Sequence, residues 1–377
     1  EERGDLLAAF TPQKGAELLH ELADDDAADL IGELEPEEQR AIFDALSEED
    51  AGDLRDLLEY DEETAGGLMT TALVKVRGSL TAAQAIDEVR LQGREVEHFY
   101  TIFVVDEADR LLGTLRLADL VIATPEDPIE GLVEAPLATA LPDLDQEQVG
   151  RLIARYNLAS MPVVSGAGIL LGRITFDDVI DVMETEQTED ILLLAGVSTE
   201  DELKHGWIDS VRVRLPWLLL NLLTASLAAS VILIFEDTIA QITTLAFIAP
   251  IIAAMGGSSG TQSLAITIRR ITVEGRGSAR GFVGKEILIG LVNGAVLGLG
   301  LGVLAFFIPG ANPKLGAVAM VAMWGNQIVA GFAGAFVPTT LERMGVDPSV
   351  ASSVFINTLT DLCGFFLLLG LASRFLL

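Results

Sequence analysis

Asp361 is the one charged residue between Pro348 and Ser373, in a stretch otherwise as apolar as a bilayer interior. An ionised carboxylate at such a place costs about 3 kcal/mol or more unless it faces water, a cation or a partner group. Ser353, Asn357 and Asp361 are spaced by four, so on a helix they form one polar stripe that climbs toward mid-membrane. A stripe of hydroxyl, amide and carboxylate is what a hydrated cation path needs. Mg²⁺ suits it, because this ion sheds its waters reluctantly and accepts one acid per chain plus carbonyls and hydroxyls. Two chains would set two copies of Asp361 across an axis. From the residues alone, a proton-coupled or broader divalent-cation transporter, an exporter included, a membrane-anchored sensor that transports nothing, and a hydrogen-bonded contact between helices also remain open.

A second candidate segment joins Pro250 to the run Met255-Gly256-Gly257-Ser258-Ser259-Gly260. Proline and clustered glycines are expected to break a helix here, allowing close backbone approach and freeing carbonyls to line a cavity. Pro250, Gly256, Gly257 and Ser258 therefore join Ser353, Asn357 and Asp361 as candidate pore residues.

The elements that must hold these residues are membrane helices. Charge is absent over 215–235, 238–268, 287–313 and 315–341, and the stretch around Asp361 follows. Each exceeds the roughly 20 apolar residues that cross a hydrocarbon core. The expectation is an all-α polytopic domain over 211–377 with five transmembrane helices, at about 215–235, 238–268, 285–309, 315–341 and 348–374. With the acidic half in the cytoplasm, Arg212, Arg214, Arg269, Arg270, Arg276, Arg280, Lys285 and Arg343 lie inside, and Lys314 and Arg374 outside. That asymmetry puts the N-terminus inside and the C-terminus outside. An odd count of spans leaves any twofold symmetry to a second copy, so a homodimer in the lipid bilayer is expected.

The half before the membrane is of another kind. Residues 1–206 hold 14 lysines and arginines against 48 aspartates and glutamates, a net of −34, while the remainder carries +2. Such a surface collects counter-cations and repels nucleic acid; solubility or adaptation to high salt is the plainer cause of the same acidity. Cys363 is the single cysteine, and His20, His98 and His205 are scattered, which leaves hard oxygen ligands for any metal. No nucleophile–base pair or phosphate loop points to an enzyme. The chain opens at Glu1 with neither Met nor a signal-peptide pattern, so preceding residues are expected.

Over 1–62 the pattern predicts short amphipathic helices at 16–22, 27–34, 37–46 and 50–58, an all-α superhelical domain. Asp24, Pro36 and Ser47 read as start signals. Val104-Val105, Gly113, Leu115, Asp119 and Leu120 then recur as Val163-Val164, Gly172, Ile174, Asp178 and Val179, at a constant offset of 59. Each copy reads as strand, turn, strand and helix, and two copies suggest pseudo-symmetric units packed face to face. This α/β arrangement resembles a tandem CBS module, with units at 66–126 and 127–184. The segment 185–208 mixes acids with Ile191, Leu192, Leu193 and Leu194, as a connecting helix on the membrane surface or a plain linker would.

Several motifs in one order carry a wider resemblance. Pro250 to Arg269, with Met255-Gly256-Gly257, Gly260 and Gln262, is similar to the second-span signature of the MgtE magnesium channels. Asp347-Pro348, Thr358, Thr360-Asp361 and Gly364 resemble their last span; Arg214-Leu215-Pro216-Trp217 and Ala65-Gly66-Gly67-Leu68-Met69-Thr70 also match. The resemblance covers almost the whole chain and implies a prokaryotic plasma-membrane protein with large cytoplasmic domains that admits Mg²⁺. It implies that Asp361 binds the permeating ion, with Thr360 beside it. It further implies that cytosolic Mg²⁺ closes the pore by binding carboxylates at domain seams. Matching acids are Asp25, Asp29, Asp145, Glu147, Asp178, Asp181, Glu186, Glu189 and Asp190. Of a nucleotide at the CBS pair it says nothing. Two departures stand out: Ser258 replaces an asparagine of many members, and Asn157 an acid of some.

Overall fold

In the computed structural model, the hydroxyl of Thr11 accepts from Lys14 N–H and that of Ser47 from Asp50 N–H, closing the first turns of two N-terminal helices. The structure describes residues 2–94, 96, 99–197, 206–274, 281–308, 313–350 and 353–377. His98, His205, Arg276, Arg280 and residues 198–205 of the connecting segment lie outside the described residues. The chain divides into two compact units, Glu1–Glu186 and Gln187–Leu377.

The first unit begins with α1 (Glu2–Ala8), α2 (Pro12–Leu19), α3 (Asp24–Gly32), α4 (Pro36–Phe43) and α5 (Glu48–Leu57). Their apolar faces, among them Leu19, Ala27, Ile31, Ile42 and Leu54, close on one core. Four of the five were expected, with starts one to four residues too late, because capping residues precede the apolar periodicity. Asp24 is not the expected cap. It opens α3, and its carboxylate accepts from Thr71 N–H at 2.7 Å and from the hydroxyls of Thr70 and Thr71.

The repeat follows with its offset intact. β1 (Lys75–Arg77) and α6 (Ala82–Gln92) precede a hairpin of β2 (Thr101–Val105) and β3 (Leu111–Arg116), then α7 (Leu117–Ile122). The second copy has α8 (Gln146–Tyr156), a hairpin of β4 (Ser160–Val164) and β5 (Leu170–Thr175), and α9 (Phe176–Leu194), which runs on past the end of the unit. Both hairpins pair a valine with a glycine, Val104 with Gly113 and Val163 with Gly172, and both bulge at the next residue. Each turn needs a left-handed residue at the same offset, Asp109 in one and Gly168 in the other. There the copies meet: Leu111 N–H donates to Gly168 O and Leu170 N–H to Asp109 O, both at 3.0 Å. The two halves thus face each other, as the repeat implied.

The second unit is helical: α10 (Trp207–Ile234), α11 (Glu236–Gln241), α12 (Leu245–Glu274), α13 (Phe282–Phe306), α14 (Pro313–Met344) and α15 (Ser353–Phe375). Four of these, α10, α13, α14 and α15, are long and apolar enough to cross a membrane. The expected second span is corrected in two ways. Residues 236–241 form a separate short helix, and α12 starts at Leu245. Pro250 and the glycine run leave α12 an unbroken helix of 30 residues, because helices packed against it satisfy what they weaken. The same run lowers its hydropathy, which is why α12 is not among the four.

α14 is the axis of the bundle, with α12, α13 and α15 packed on it. It meets α13 through a row of glycines. A Cβ on Gly298 would stand 2.6 Å from Met320 O, and one on Gly316 would stand 2.8 Å from Gly302 O. Gly290 and Gly294 lie against Gln327 and Trp324 in the same way. At each of these positions a carbonyl of the facing helix stands within 2.9 Å of the missing Cβ, so the two backbones touch. Gly298→Leu should therefore cost about 3 kcal/mol of membrane-domain stability, read as a lower melting temperature in detergent; an unchanged melt would refute this packing.

Candidate functional site

Asn357 and Asp361 sit one turn apart on α15, both half-buried. Opposite them α12 presents Gly257, Ser258, Thr261 and Gln262, with alanines between, and together the two helices line an open groove of about 650 Å³. Among the described residues Asp361 supplies its only charge; the other polar groups are hydroxyls and amides. Gly257 lets the walls approach, since a Cβ there would stand 2.7 Å from Asn357 Oδ1. That oxygen is buried and accepts no hydrogen bond. One carboxylate among neutral oxygens suits a divalent ion that keeps its waters better than one that must be stripped of them.

The other expected pore residues lie elsewhere. Thr360 is wholly buried and donates to the carbonyls of Ile356 and Asn357, each at 3.0 Å, on the face toward Gly256. Gly256 packs against Asn326 of α14 and Thr360, away from the groove. Pro250 is exposed and Ser353 lies two turns before Asp361; neither lines the groove. Thr261 and Gln262 were missed as pore candidates, although each stands four residues beyond an expected one.

The nine expected regulatory acids do not gather at one point. Asp25 is brought beside Asp178, with Asp24, Asp26 and Asp177 nearby and the buried Arg173 among them. Burial, then the Asp178 charge, pushes the Asp25 carboxyl up to about 7, and Asp25 Oδ1 has no hydrogen-bond partner. Asp178 is raised by burial, although Thr175 donates to it. Arg173 Nε donates to Ala72 O at 2.8 Å.

Asp29 lines a separate cavity of about 280 Å³ with Glu62 and Gln39, and burial followed by the Glu62 charge raises it to about 6. Asp145 caps α8 by accepting from Gln148 N–H, Glu147 pairs with Arg151 at 3.1 Å, and Glu186 accepts from Gln146 Nε2 at 2.6 Å. Asp181 is exposed, and Glu189 is half-buried and has a partner. Asp190, in the second unit, accepts from Thr272 Oγ1 at 3.4 Å, and burial with the Asp347 charge raises it. No group of three or more histidines, cysteines or acids placed to hold a metal occurs among the described residues. What does occur, carboxylate pairs under strain from like charge, fits an ion held largely through its own waters.

Comparison with known proteins gives matches along the chain. The model of the MgtE intracellular N domain matches residues 1–63, and that of the CBS domain matches 65–126 and 129–185. The MgtE model, described as a divalent cation transporter, matches 249–371. The magnesium transporter MgtE of Thermus thermophilus is 35% identical over 321 residues, covering 82% of this chain and 70% of that protein. That of Enterococcus faecalis is 33% identical over 317 residues, 84% of this chain and 70% of its own. A crystal structure of the soluble part of a magnesium transporter is 33% identical, with a TM-score of 0.47, covering 49% of this chain and 72% of the other. Identity at this level, over more than four fifths of its length, means that this chain belongs to the MgtE family of divalent cation transporters.

Proposed function

We propose that this protein transports Mg²⁺ along the α12–α15 groove, and that Asp361 holds the passing hydrated ion. The observation that carries the reading is the groove itself, which joins the intramembrane acid to Asn357, Gly257 and Ser258. The magnesium transporters among its relatives support the choice of ion. Asp361 and the Asn357 amide bind through water, and the alanines of α12 leave room for that water. Because the groove is open on one side, a second copy of the chain supplies the facing wall, which makes a homodimer. In each copy α12 crosses the plasma membrane with the four more apolar helices, five spans in all, and the acidic N-terminal unit lies in the cytoplasm.

Closure belongs to the acidic unit. When cytosolic Mg²⁺ is scarce, Asp25 and Asp178 repel one another; when it is abundant, the ion bridges them and favours the compact state. The other acids act in the same sense at their own places. The ion regulates only if it binds the closed form more tightly, and apposed carboxylates give that difference.

Flux into liposomes of purified protein tests the reading. Uptake of Mg²⁺ should persist when the proton gradient is collapsed, and should fall as Mg²⁺ on the cytoplasmic face is raised. Uptake that stops with the proton gradient would instead make this a coupled carrier.

A further inference from the structure

Asn326 and Gln327 of α14 are both fully buried, in a span with no charge. Each amide reaches across to the backbone of α12. Asn326 Nδ2 donates to Ile252 O and Gln327 Nε2 to Met255 O, each at 3.0 Å. Their oxygens, Asn326 Oδ1 and Gln327 Oε1, have no hydrogen-bond partner. An apolar side chain of the same volume would leave no such orphan, so packing alone does not explain either amide. What an amide adds is a directed bond that fixes the height and rotation of its neighbour.

The places held are those that frame the groove. Ile252, Met255 and Gly256 form the face of α12 toward α14, and the adjoining face carries Gly257, Ser258 and Thr261. Asn326 also fills the space left by a missing side chain on α15: a Cβ on Gly364 would stand 2.8 Å from its Nδ2. Gly364 follows Asp361 by one turn. A single side chain therefore touches α12 beside Gly257 and α15 beside Asp361. We infer that Asn326 and Gln327 are positioning residues for ion passage: they lock α12 to α14 and so set the separation of the two walls between which the ion is held. The inference rests on the groove being the path. Wall separation is what distinguishes a small, tightly hydrated ion from a larger one, so the pair contributes to selectivity as well as rate.

Asn326→Leu keeps the branched shape of the amide at a larger volume, Gln327→Leu is nearer in volume, and both remove the bond. In liposomes each should lower the maximal rate of Mg²⁺ uptake by about 10- to 100-fold and reduce the preference for Mg²⁺ over Ca²⁺, with the protein folded by size exclusion. Asn326→Asp gives a finer readout, because only the protonated acid can donate to Ile252 O. Around Asn326 the packed neighbours are Ile252, Gly256 and Gly364, none of them titratable. The ratio of Asn326→Asp to wild-type uptake should fall about tenfold between roughly pH 6 and pH 9. Folded leucine variants with wild-type rate and ion preference would overturn the inference. If those variants do not fold, a flat Asn326→Asp ratio would overturn it instead. Asp361→Ala, run alongside, separates the two readings: its normal uptake removes the groove as the path, whereas its loss with unaffected α14 variants removes this inference alone.

Discussion

Liposomes carrying Asp361→Ala should take up Mg²⁺ at about a hundredth of the wild-type rate or less. A divalent ion 4 Å from a carboxylate gains about 4 kcal/mol per unit of its charge at an effective dielectric of 20, and no other charge lines the groove to replace that gain. Asp361→Asn keeps the shape and should lose nearly as much, which assigns the effect to charge. Both variants should remain folded, since the half-buried carboxylate is replaced by a group that is easier to desolvate. Normal uptake by Asp361→Ala would remove the groove as the path, whereas no uptake by the wild type would leave a membrane-anchored sensor that transports nothing.

The second large effect concerns the seam between Asp25 and Asp178. Burial raises the folded Asp25 carboxyl to about 7 from an ordinary value of 3.8. A raised acid contributes stability that is fully present below the unfolded value and lost as pH climbs through the folded one. Between about pH 4 and pH 8 the N-terminal unit should thus lose up to roughly 4 kcal/mol through this group. Hydrogen exchange at the amides of α3 and of the segment around Ala65 would show it. Asp25→Asn should abolish most of the slope, and at pH 8 the variant should be the more protected protein. Mg²⁺ at pH 8 should restore protection to the wild type and do little for Asp25→Asn. A flat profile in the wild type would remove the charge-repulsion account of closure.

Much of this was legible because membranes and repeats write strong patterns. A lone acid in a charge-free stretch can be seen without structure, and so can a 59-residue offset that fixes strand, turn and helix alike. The errors came from rules that neighbours override. Spacing by four turns 40° past a full circle each time, so Ser353 has drifted out of line with Asp361 by two steps. Thr360, one residue before Asp361, is turned some 100° away and falls on the packed face. Pro250 and the glycines break an isolated helix, but in α12 glycine faces are what let α14 and α15 come close. Asp24 shows the opposite limit. It reads as a local start signal, and its partners, Thr70 and Thr71, are 46 and 47 residues away. Asn326 and Gln327 could have been noticed as amides in an apolar span, yet their acceptors are backbone carbonyls that no side-chain pattern reveals.

The glycine row between α13 and α14 bears on motion. Where main chain rests on main chain over some 18 Å, neither rod can turn about its axis without backbone atoms overlapping. The pair is a stator. Because the Asn326 and Gln327 amides tie α12 to the same block, any widening of the passage falls to α15.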